Sequence, residues 1–100
     1  MIRQLFHPGR VQKQHERVVK AMKAHARAAG DAVFERTMAD FYTQRVLAID
    51  PHLDWNGFAE VKQKQVDHQS DCLAYEKRAE VALAKLRAEE ERYAKLRQAG

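Results

Sequence analysis

The chain has 100 residues, 45% of them hydrophobic and 32% charged, with a formal net charge of +4. These values exclude more than one domain and composition-driven disorder, and the lone cysteine, Cys72, excludes an internal disulfide or a zinc quartet. No run approaches the roughly 18 apolar residues of a membrane span, and "MIRQLFHPG" is too short for a signal-peptide core, so a reducing, cytoplasmic setting is expected.

Glycine and proline punctuate the chain at 8–9, 30, 51, 57 and 100. Between them the residue pattern predicts an all-α single domain of three helices, at about 10–29, 31–49 and 58–97, with a linker at 50–57. In the first helix, Val11, His15, Val18, Met22, His25 and Ala29 follow a 4-3-4-3-4 spacing, a seam of coiled-coil period. Arg10, Lys13, Arg17, Lys20, Lys23 and Arg27 project to the opposite arc. Gly30 suits the left-handed position that ends a helix, and Asp31 has the chemistry to cap the next.

The second predicted helix carries the richest apolar surface. Phe34, Met38, Phe41, Tyr42, Val46 and Ile49 cover an arc of roughly 140°, and Arg45 falls inside it. Asp50-Pro51 closes the helix, because the residue before proline is pushed out of helical geometry. Asp54 or Asn56 then caps the third helix.

That helix has an unbroken 3-4 seam: Phe58, Val61, Gln65, His68, Cys72 and Tyr75, continued by Ala79, Ala82, Leu86, Glu89, Tyr93 and Leu96. As a straight rod it would be about 60 Å long. Its seam is thin, because alanine and cysteine bury little area and three positions are polar. Polar seam residues fix register and partner at a cost in stability. The expected arrangement is a hairpin of the first two helices against part of the third, whose far end projects or pairs with a second copy in a homodimer.

Charge is uneven. Residues 1–29 hold seven Lys/Arg against one acid, whereas residues 51–100 hold nine of each. The basic stripe of the first helix is therefore the leading candidate site. It would suit an acidic protein partner or a phosphate backbone, but it lacks interleaved aromatics for stacking on bases. The aromatics around the linker are expected to form the core where the helices meet. Were Arg45 and Trp55 exposed, that corner would be a docking site of hot-spot composition.

Chemistry-bearing patterns are sparse. His15, His25 and His68 fall on the predicted seams, but His15 and His25 lie roughly 15 Å apart along a helix and cannot share an ion. No Glu-x-x-His or His-Glu-x-x-His occurs, and we expect core histidines and no metal. His68 and Cys72 are four apart, but nothing near Cys72 in the sequence would lower its pKa. There is no glycine-rich phosphate loop. The pattern points to a non-catalytic interaction protein without cofactor, small-molecule substrate or membrane role. It would be an adaptor, small chaperone, assembly factor or inhibitor acting by surface occupancy, of the kind found among phage, plasmid and secretion-system accessories. The alternative is a nucleic-acid-binding module using the basic face of the first helix. Phosphate binding would weaken steeply with salt.

Overall fold

A computed structural model describes residues 8–99. Two long helices form a hairpin: α1 spans Pro8–Ala48 and α2 spans Trp55–Gln98. No strand occurs among the described residues. The expectation of three helices is thus corrected to two, because Gly30 and Asp31 do not interrupt α1. Gly30 keeps a negative φ, and a β-carbon built on it would meet nothing within 4 Å. It sits on the outer side of the helix, flanked by alanine-rich turns that outweigh the roughly 1 kcal/mol cost of a helical glycine.

Continuity of α1 changes which residues face its partner. One unbroken 3-4 seam now runs Val11, Gln14, Val18, Ala21, His25 and Ala28, then Ala32, Glu35, Ala39, Tyr42, Val46 and Ile49, and every one is buried or half-buried. None is Lys or Arg. A phase through Phe34 and Phe41 would carry Lys13, Lys20 and Arg27 into the interface, seven residues apart on the same helical line. Burying three unpaired cations costs far more than two phenylalanines return. The predicted seam positions His15 and Met22 are accordingly exposed, while Val11, Val18, His25 and Ala29 stay covered. All twelve seam positions predicted for α2 are buried or half-buried.

The chain divides into two compact units, Ala28–Arg78 and Met1–Arg27 with Ala79–Gly100. In the first, which we call the hairpin unit, Pro51 ends α1. The turn is held by Asp50, whose carboxylate accepts from the His52 N–H at 2.8 Å and whose carbonyl accepts from Leu53 and Asp54 at 3.1 and 3.0 Å. Asp54 then caps α2, accepting from the Gly57 N–H at 2.9 Å. A side chain at 57 would collide with that carboxylate. The first turn of α2 therefore lies at Trp55–Gly57, inside the expected linker.

Polar groups cross the seam in pairs. The Gln65 amide donates to Thr43 Oγ1 at 2.8 Å, and His68 Nδ1 lies 2.5 Å from Glu35 Oε2. Beside them Arg36 pairs with Glu76. In the second, terminal unit, Gln14 Nε2 donates to the Glu89 carbonyl at 2.9 Å and to its carboxylate at 2.6 Å. The polar seam residues Gln65, His68 and Glu89 thus each find an α1 partner, which only one register allows.

Since Gly30 is helical and its surroundings are open, Gly30→Ala should raise the unfolding free energy by about 1 kcal/mol in urea titrations. A loss of stability instead would mean that the chain turns there.

Candidate functional site

In the terminal unit, a concavity of about 590 Å³ opens beside the seam. Arg10, Lys13 and Arg17 of α1 line one side, and Arg92 and Lys95 of α2 the other. The heptad explains the convergence. Arg10 and Arg17 sit immediately beside the seam on α1, Arg92 holds the matching position on α2, and antiparallel helices bring matching positions face to face. Lys13 and Lys95 lie one step further out. Like charges facing across a helix pair repel, so this edge adds nothing to the cohesion of the pair.

Gln14 and Leu96 complete the lining. Gln14 is only 4% exposed, and its two bonds to Glu89 anchor this part of the wall. The Glu89 carboxylate also accepts from Arg92 Nη1 at 2.9 Å, so a buried acid is fully partnered. Lys95 Nζ lies 3.3 Å from Glu91 Oε1. Among the described residues no carboxylate pairs with Arg10, Lys13 or Arg17.

The six-residue basic stripe read from the sequence is therefore divided. Lys20 and Lys23 line a separate shallow hollow with His15, Glu16 and Val19, all on α1. Arg27 is exposed and borders neither. Arg92 and Lys95 were missed, because residues 51–100 are neutral in sum and only the fold separates their cations from their acids.

The hairpin unit has a different surface. Eight large apolar side chains stand in solvent: Val33, Phe34, Phe41 and Leu47, then Leu53, Trp55, Val66 and Leu73. The expected aromatic core is thus corrected for Phe34, Phe41 and Trp55, which are 59%, 51% and 64% exposed. Arg45 is exposed too, its guanidinium 5.8 Å from the Phe41 ring centre. Phe41 meets Tyr42 edge-on at 5.1 Å, and Trp55 stacks on Phe58 at 5.9 Å. On α1 the interface uses alanines while Phe34 and Phe41 remain outside, because the α1 phase is set by where the cations are.

The units also differ in charge. The terminal unit holds twelve Lys/Arg against five Asp/Glu, and the hairpin unit six against nine.

The histidines separate as well. His15 is exposed, with its ring 5.7 Å from that of Tyr93. His25 is half-buried. His68 is half-buried between Glu35 and the ring of Tyr42, stacked at 5.3 Å. Among the described residues no three His, Cys, Asp or Glu side chains converge as a metal site would require. No helix among them is long and apolar enough to cross a membrane.

Cys72 is buried, with Sγ 3.4 Å from Glu76 Oε1 and 3.7 Å from the Ala32 carbonyl oxygen. Burial first, and then the Glu76 carboxylate, push its thiol pKa up against the opposing pull of Arg36. This is the reverse of what an activated nucleophile needs. Arg36 in turn holds Glu76 below the usual carboxylate range, mainly through their hydrogen bond.

No protein-family model, curated protein or solved structure matches the chain.

The pH profile of Cys72 alkylation should have its midpoint above that of a free cysteine. Glu76→Gln should move it down, because the repelling carboxylate goes and Arg36 stays. A midpoint at or below the free-thiol value would contradict the described environment.

Proposed function

We propose that this protein is a non-catalytic interaction protein that occupies the surface of a protein partner, docking through the hairpin unit. One observation carries the reading: eight large apolar side chains lie exposed on one compact unit, while alanine, cysteine and glutamine line its own interface. Apolar side chains left outside in such number, Phe34 and Phe41 on one helical line among them, favour a partner site over a solvated face. Phe34 and Phe41, seven residues apart on one line of α1, are the anchors, with Arg45 held over Phe41 at their edge, and arginine is enriched in hot spots. The hairpin unit carries excess acid, so the partner it fits is an apolar surface with a basic rim. Adaptor, assembly-factor and inhibitor roles all use this mode.

A second reading, a nucleic-acid-binding module, is supported by the cations of α1 and α2 around the terminal-unit concavity.

Photo-crosslinking residues placed at Phe34 and Phe41, in cells that make the chain, test the first reading. We expect one discrete adduct with a different protein, lost when Arg45→Glu is added. Only self-adducts, or only nucleic-acid adducts, would contradict it.

A further inference from the structure

We infer that the concavity of the terminal unit is a two-sided clamp for a linear chain of phosphates, gripped by Arg10, Lys13 and Arg17 from α1 and by Arg92 and Lys95 from α2. The inference deepens the nucleic-acid reading and is independent of docking through the hairpin unit. It replaces a stripe along one helix by a groove between two.

The cations converge on one hollow of about 590 Å³, a size that admits a short run of phosphates but not a duplex. Three of the five have no carboxylate partner among the described residues. Arg92 and Lys95 are ion-paired, yet their side chains are 64% and 73% exposed, so both can turn to a ligand. With Glu89 and Glu91 counted, the rim keeps an excess of three positive charges. Guanidinium groups on both walls suit tetrahedral oxyanions, which they bind bidentately. Among the described residues no aromatic lines the hollow, so none of its described walls would stack or read bases. The ligand is recognised by its phosphates alone, and single-stranded nucleic acid and inorganic polyphosphate share that chemistry.

Seam pairing accounts for the groove's shape. The Gln14–Glu89 bonds fix the two helices in the register that places Arg10 and Arg17 across from Arg92. Anion binding would relieve the repulsion along this edge, so the ligand should also stabilise the fold.

The test measures affinity against salt for the full chain with inorganic polyphosphate, a single-stranded DNA of mixed sequence, and poly-glutamate of equal charge. Five contacts predict a log–log slope of about −3.5 for single strands, a loss on the order of 100-fold between 50 and 200 mM salt. Lys13→Gln with Lys95→Gln removes one contact from each wall and spares Arg92, which partners buried Glu89. The slope should then drop to about −2.1, and the salt loss to about 20-fold. Lys20→Gln with Lys23→Gln removes the same charge from the other hollow and should leave the slope unchanged. Thermal melting of each variant shows that the fold persists. Binding of both polyphosphate and DNA would indicate backbone recognition, the tighter of the two naming the source, and DNA binding without polyphosphate binding would show recognition beyond phosphates and overturn the clamp. Absence of phosphate-chain binding at 50 mM salt, equal effects of the two double variants, or poly-glutamate binding as tightly would each overturn the clamp.

Discussion

A helix of 41 residues packed along another must hold one phase for its whole length, and no phase that buries lysine or arginine is affordable. That constraint governs everything else in this chain. On α1 it selects the line from Val11 to Ile49, which is poor in large apolar residues but free of fixed positive charge. Burying a bare cation costs several kcal/mol, whereas exchanging an alanine contact for a phenylalanine contact returns about 2 kcal/mol.

The consequences run outward from the seam. Small residues let the helices approach closely but contribute little burial, and no large side chain is fully buried among the described residues. Stability must then come from contact along the length and from satisfied polar pairs, of which Gln14–Glu89 and Glu35–His68 are the clearest. Displaced large apolar residues accumulate on the hairpin unit and displaced cations on the terminal unit. The result is a hairpin unit rich in exposed apolar side chains and a terminal unit rich in cations, each produced by what the interface could not accept.

Much of this was legible in the sequence. The α2 seam could be read to its last member, because no glycine or proline interrupts 58–99 and the 3-4 spacing never slips. The cations of α1 were legible by the same periodicity. What misled was Gly30-Asp31, which has the chemistry of a helix stop followed by a cap. Splitting α1 there allows each half its own phase, and each half then selects its bulkiest face: His15 and Met22 in one, Phe34 and Phe41 in the other. Extending either phase across Gly30 would have exposed the conflict, since Phe34 and Phe41 continue backward into Arg27, Lys20 and Lys13. Arg92 and Lys95 were illegible for another reason. Their convergence on α1 depends on the register between the helices, which local periodicity does not contain.

The most direct measurement is cysteine accessibility on the two competing faces of α1. In a Cys72→Ala background, Ala32→Cys and Ala39→Cys probe the seam, and Phe34→Cys and Phe41→Cys probe the outer face. With the chain dilute and alone, the outer pair should be alkylated nearly as fast as in urea, and the seam pair at least about tenfold more slowly. Protection of 34 and 41 with free access to 32 and 39 would show that α1 buries its aromatic face, and the charge-driven choice of phase would be wrong.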